Sequence, residues 1–264
     1  MNAWIVIGII LLIVGLTLFF VRRNQQARAF SLKSARRVTV AELGNTAQAI
    51  ADEIGGGNWR DYVKLWGEIE VAQPLISELK QVPCVYYSFK VQREYEETVT
   101  EKDAEGNTTH KTEQRSETVA SNQQSTLFYL QDETGKIWVD PNEAAIEAVQ
   151  VLNEFRPGDP AAGMLQMGRF SLTLGNSHRR TVGYRYTESV LPIDRKVLVV
   201  GEVSDHTGTL TLCRPTATKK KYIISLKTDE VLTANADQGA KNAAIAMFIC
   251  LGLGILLILV GILL

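Results

Sequence analysis

Two uncharged apolar runs constrain this chain more than any other feature. The first, Trp4 to Val21, reads WIVIGIILLIVGLTLFFV, and the second, Ala243 to Leu264, reads AAIAMFICLGLGILLILVGILL. As helices rising 1.5 Å per residue they would extend roughly 27 and 33 Å, against a hydrocarbon core of about 30 Å. Both are expected to span a lipid bilayer, which would hold the polar middle of the chain at one membrane from both ends.

The charges beside the runs suggest an orientation. A secretory signal carries positive charge before its apolar region. Here Met1-Asn2-Ala3 precedes the run, and Arg22, Arg23, Arg28, Lys33, Arg36 and Arg37 follow it. This is the pattern of an uncleaved anchor. Lys219, Lys220, Lys221, Lys227 and Lys241 precede the second run, and no charge follows it. The positive-inside rule then predicts a cytoplasmic middle domain with both termini on the opposite side. Gly252, Gly254 and Gly261 interrupt the second run. They read as ordinary membrane-helix glycines, although small residues there also let a neighbouring helix come close.

Between the runs lie roughly 220 residues, enough for one compact domain with a sizeable core. The formal net charge of −1 argues against a nucleic-acid partner. Cys84, Cys213 and Cys250 form no C-x-x-C pair, so no zinc site or other cofactor is expected. Cys84 and Cys213 read as buried thiols, able to pair only in an oxidising compartment.

The expected divisions are a membrane helix over 1–22, a basic juxtamembrane segment with an amphipathic helix over 23–57, a β-rich domain over 58–228, a juxtamembrane helix over 229–242 and a second membrane helix over 243–264. Thr39-Val40-Ala41-Glu42 matches a capping box. Val40, Leu43, Ala47, Ile50 and Ile54 follow at helical spacing until Gly55-Gly56-Gly57 stops the helix. From Tyr62 the period changes to two. Val63, Leu65, Ile69 and Val71 alternate with polar positions, and later Val85, Tyr87, Phe89 and Val91 do the same. The second of these strands runs on into a polar arm, Gln92 to Val119, turning at Ala104-Glu105-Gly106-Asn107 and expected to protrude into solvent.

Ser125 to Gln131 predicts another strand, which turns at Asp132-Glu133-Thr134-Gly135 into Lys136 to Asp140. After Pro141, the stretch NEAAIEAVQVLNEF has Ile146, Val149 and Leu152 at helical spacing, which predicts a helix. Ala161 to Arg180 reads as a long loop. Strands are expected again at Tyr184 to Val190, Lys196 to Val203, Leu210 to Cys213 and Tyr222 to Ser225, and a helix begins near Thr228-Asp229-Glu230. The class is mainly β (α+β), a small antiparallel barrel- or sandwich-like domain flanked by two transmembrane helices.

Little in the sequence suggests catalysis. His110, His178 and His206 all read as exposed loop histidines, and no nucleophile elbow, phosphate loop or H-E-x-x-H occurs. Asp132, Glu133 and Asp140 gather at a turn, where Asp serves the backbone more often than a metal.

One ordered set of segments is more telling. It comprises Pro83-Cys84-Val85-Tyr86-Tyr87, then Asp132-Glu133-Thr134-Gly135-Lys136-Ile137-Trp138-Val139-Asp140-Pro141, then Tyr186-Thr187-Glu188-Ser189, then Val199-Val200-Gly201-Glu202-Val203. This order, between two membrane helices, resembles the GIDE or beside-a-membrane (BAM) domain of mulan/MAPL-type mitochondrial E3 ubiquitin ligases. The match covers roughly Val63 to Thr228, and the chain looks like a prokaryotic-type member. The resemblance marks Pro83, Cys84, Tyr86, Tyr87, Asp132, Gly135, Val139, Pro141, Glu188, Gly201 and Glu202 as family positions, expected to be structural. The ligases continue into a zinc-binding RING finger, whose C-x-x-C ligands do not occur in this sequence, so ligase activity is not expected to carry over. The expectation is a non-enzymatic interaction or scaffold module with the bilayer and a membrane or peripheral protein as partners. The alternatives are a ligase-like component and a carrier of lipid or another small ligand.

Overall fold

The computed structural model describes residues 3–56, 59–102, 108–158, 164–173, 180–206 and 208–263. Its helices are α1 (Ala3–Ser34), α2 (Val40–Ile54) and α3 (Asp229–Leu263). The described strands begin with β1 (Arg36–Arg37), β2 (Arg60–Glu70), β3 (Leu75–Ile76), β4 (Pro83–Lys102), β5 (Thr108–Ser125), β6 (Phe128–Asp132) and β7 (Gly135–Val139). They continue with β8 (Ala145–Glu147), β9 (Val149–Pro157), β10 (Met164–Met167), β11 (Phe170–Thr173), β12 (Arg180–Pro192), β13 (Lys196–Ser204), β14 (Thr211–Cys213) and β15 (Ile223–Ser225).

Five strands close on themselves. β2 pairs with β6, β6 with β7, β7 with β14, β14 with β13, and β13 with β2 again. All these pairings are antiparallel except β7 with β14. This is a small Greek-key barrel of the OB type. Alternation along each strand fills its interior: Val63, Leu65, Phe128, Leu130, Val139, Val199 and Leu212 are each no more than 1% exposed. The interior is therefore packed with side chains, as small barrels generally are, and this gives no support to a carrier role inside it. β13 is buried on both faces, which explains its unbroken apolar reading.

A second sheet stands on the barrel. Its order is β5-β4-β12-β9, with β3 against the start of β4. β3 to β5 lie between barrel strands β2 and β6 in the chain, and β8 to β12 lie between β7 and β13. Both insertions thus contribute to one sheet. Its core holds Cys84, Tyr87, Phe89, Val91, Tyr184 and Tyr186, covered by Leu165, Met167 and Phe170 from the β10–β11 hairpin.

Two expectations are overturned here. The stretch expected as a helix after Pro141 forms β8 and β9 instead. β8 pairs with β15 and β9 with β12, so sheet pairing overrides the helical propensity of Ala and Glu. The expected loop over Ala161 to Arg180 contains a hairpin turning at Gly168, which has a positive φ of 59°. The polar arm is also only partly protruding. Up to Glu96 its first strand lies beside β12, with Arg93 and Tyr95 buried, and only Glu97–Lys102 with Thr108–Glu113 extends as a two-stranded ribbon. The arm's expected turn, 104–107, lies outside the described residues, as does His178.

α2 follows its sequence signals. Thr39 Oγ1 accepts from Glu42 N, the Glu42 carboxylate accepts from Thr39 N, and Gly55 with a φ of 87° ends the helix. Its Leu43 is fully buried in the barrel core.

α1 and α3 are each long and apolar enough to cross a membrane. They pack antiparallel through glycines spaced seven residues apart on each helix. A Cβ added to Gly8 would lie 2.6 Å from Ile258 Cγ1 and 2.8 Å from the Gly254 carbonyl oxygen. Gly15 meets Leu251, and Gly261 meets Ile5. Gly254 and Gly261 are therefore contact glycines, contrary to the ordinary reading, whereas Gly252 faces open space.

Candidate interaction surface

Both membrane-length helices run without a break into the barrel wall. Leu32 of α1 and Leu232 of α3 are buried with Tyr62, Leu198, Val200 and Ile223 on the outer face of β2, β13 and β15. Around this apolar contact the polar groups interlock. Lys64 Nζ donates to the Leu32 carbonyl oxygen at 3.0 Å and to Asp229 Oδ2 at 2.5 Å. One ammonium thus joins the C-terminus of α1, the first turn of α3 and barrel strand β2, and each partner is of the sign that the helix dipole favours. Glu147 of β8 holds the other side, accepting from Arg28 and from Ser225 Oγ and pairing with Lys227. Burial alone would raise the Glu147 carboxyl, but the Ser225 and Arg28 hydrogen bonds and the nearby cations hold it below the usual range. From Arg22 to Arg28 a helix rises about 9 Å, and that length of α1 separates the end of its apolar run from the Glu147 contact.

The family positions sort into three structural groups. At the first, Asp132 Oδ1 accepts from Thr134 N, Thr134 Oγ1 and Gly135 N, while Oδ2 accepts from Val40 N at the start of α2. Burial would raise its pKa, but these four bonds together hold it below the usual value. Asp132 therefore shapes the β6–β7 turn and docks α2 on it. A Cβ at Gly135 would approach Val40 Cγ1 to 3.2 Å, which keeps this seat small.

At the second group, buried Glu188 accepts from Ser77 Oγ, Leu79 N and Lys80 N, clamping the segment between β3 and β4. Cys84 lies nearby in the same core. Burial, and then the Glu188 carboxylate, pushes its thiol up to about 11. Tyr87 is buried beside it, Tyr86 half-buried toward the barrel, and Pro83 exposed at the strand start. At the third group, Glu202 accepts from Arg60 and from Thr216 N and Oγ1. Gly201 admits the Tyr222 ring, and Val139 and Pro141 are buried close by. All three groups hold loops and strands in place. Trp4, Val21 and Ala243 lie in the paired helices, and Leu264 lies outside the described residues.

Among the described residues no group of three or more His, Cys, Asp or Glu is placed to hold a metal ion. Cys84, Cys213 and Cys250 are free thiols. A cleft of about 560 Å³ opens beside α2 between Arg37, Trp66, Asp132 and Lys196. Another of about 510 Å³ separates barrel from sheet between Tyr86, Ile146, Ser189 and Lys227.

The paired strands β4 and β5 present a long polar surface, with β5 exposed along much of its described length. Ion pairs join β4 to β5, Arg115 to Glu97 and Arg93 to Glu117, and join β4 to β12 on its other side, Arg185 to Glu94 and Arg180 to Glu96. β5 pairs with β4 alone among the described strands, so its outer edge is not taken up by another strand of the sheet. Sequence reasoning saw this arm as solvated but could not identify it as a sheet edge.

The GIDE family model, described as E3 ubiquitin ligase, matches residues 96–260. The chain belongs to the GIDE family. The matched region begins within β4 and takes in most of α3, so the second membrane-length helix falls inside the GIDE match. No curated protein and no solved structure matches the chain. With strands making up 45% of the structure and helices 34%, this GIDE chain is mainly β, a barrel core with two apolar helices at its termini.

Proposed function

We propose that this GIDE chain is a double-anchored membrane protein whose barrel-and-sheet domain serves as a non-enzymatic interaction module on the cytoplasmic face. The observation that carries the reading is the shared clamp at Lys64 and Glu147. It welds both helices to the barrel wall, so the domain has one fixed attitude toward the bilayer and presents the β5 edge and the two clefts in a constant orientation. Arg22, Arg23 and Lys241 beside the apolar runs favour the cytoplasmic side. Two experiments test the reading. A cysteine in place of Ser116 is expected to react with a membrane-impermeant maleimide only after cells are opened; labelling on intact cells would place the domain outside. In-membrane crosslinking from the β5 edge is expected to recover a protein, and repeated recovery of none would sink the interaction role.

The family's description favours a second reading, a component of ubiquitin transfer. In that case the full chain would accelerate discharge of a ubiquitin-loaded conjugating enzyme. No acceleration would remove it.

A further inference from the structure

β5 carries Lys111, Glu113, Arg115 and Glu117 at every second position, hence on one face of the sheet. The signs run plus, minus, plus, minus, and they invert about Gln114. We propose that β5 pairs antiparallel with β5 of a second copy of this chain, on a two-fold axis through Gln114, joining two sheets into one.

The geometry leaves few choices. In an antiparallel pair, residues directly opposite share a face. A two-fold axis preserves the face of every residue, so it must pass through a residue and not between two. Through Gln114, Lys111 meets Glu117 and Glu113 meets Arg115, each twice by symmetry. On the other face Thr112 meets Ser116 and Gln114 meets itself, all groups that both donate and accept. Moving the axis to Glu113 sets Glu113 against Glu113 and Lys111 against Arg115. Moving it to Arg115 sets Arg115 against Arg115 and Glu113 against Glu117. Only the Gln114 register opposes every one of the four charges with its opposite.

Charged residues on an edge strand commonly discourage unwanted pairing. A pattern that inverts about one residue excludes other strands and other registers while remaining neutral toward itself. All four side chains are at least 32% exposed. Lys111 is 65% and Arg115 49% exposed, and their present partners lie on β5 itself or on neighbouring β4. This deepens the interaction reading above by naming the partner, yet it fails separately, since another protein on the same edge would leave that reading standing.

The test uses the full chain in native membranes, with Cys213→Ser and Cys250→Ser as background and buried Cys84 retained. Opposed residues in an antiparallel pair have Cα atoms about 4.5–5.5 Å apart, within disulfide range. Gln114→Cys is expected to give a disulfide-linked dimer under mild oxidation. Gln124→Cys is expected to give none, because two such residues would sit roughly 66 Å apart along the paired strands. Thr112→Cys and Ser116→Cys are expected to link to each other when co-expressed, and neither to itself. Arg115→Glu is expected to weaken dimer formation about tenfold, and the swap Glu113→Arg with Arg115→Glu to restore it, which a mere folding defect would not do. Equal linking at Gln114→Cys and Gln124→Cys, linking of Gln114→Cys only to a different protein, or a swap that fails to restore the dimer would overturn the proposal.

Discussion

Lys64 and Asp229 meet at 2.5 Å, with Lys64 only 13% and Asp229 only 20% exposed. They come from the first strand of the barrel wall, β2, and the first turn of the last helix, and the same ammonium also reaches the Leu32 carbonyl. Removing the ammonium leaves a half-buried carboxylate and a helix-end carbonyl without their donor. Lys64→Met is expected to cost about 2 kcal/mol, read as a lowered midpoint of thermal unfolding in detergent. Asp229→Asn should cost less, because an amide keeps one hydrogen bond to Lys64.

Asp132→Ala removes four hydrogen bonds at once and frees the first turn of α2. The loss should be about 2–3 kcal/mol. Hydrogen exchange should speed up first in the amides of Val40 to Ile54. Unchanged protection there would show that Leu43 alone holds α2 in place.

The carboxyls of Asp132 and Glu147 both sit below their ordinary values in the folded state. A depressed carboxyl adds stability that is present above the unfolded-state value, about 4, and is lost as pH falls through the lower folded-state value. Stability should therefore be flat near neutrality and fall as pH drops below about 4. Asp132→Asn combined with Glu147→Gln should be less stable at neutral pH, with a shallower acid limb in a pH series of unfolding midpoints.

The helix pair should be sensitive to single methyl groups in a position-specific way. Gly8→Ala sets a Cβ against Ile258 and the Gly254 carbonyl and should cost about 1–3 kcal/mol of pairing. Gly252→Ala meets nothing within 4 Å and should be neutral. Disulfide trapping between cysteines placed on α1 and α3 would rank the two.

Cys84 should resist alkylation in the folded protein. Its thiol is fully buried and raised to about 11, so almost no thiolate is present at neutral pH. Maleimide labelling at this position should appear only with denaturant, in step with unfolding.

Local signals in the sequence carried much of this architecture. The Thr39–Glu42 box, the Asp132 turn and the alternation Val85, Tyr87, Phe89, Val91 each express a rule that acts within a few residues. The stretch from Asn142 to Phe155 misled for the same reason. Its Ala- and Glu-rich composition favours a helix locally, while its strands are dictated by Ile224 and Tyr186, far away in the chain. The clamp had no local signal at all, because Lys64 and Asp229 lie 165 positions apart. The alternating charges of β5 were legible as letters, but their meaning depends on knowing that this strand ends a sheet.

The clamp also sets an order of events during synthesis. α1 leaves the ribosome first, and the glycine face that α3 will cover must wait through the making of the whole intervening domain. The Asp229 contact with Lys64 forms last, because α3 follows β2 and every other barrel strand in the chain. Pairing of α3 with α1 therefore joins two segments separated by the whole domain, and the reach of Lys64 to both helix ends ties that pairing to the barrel wall.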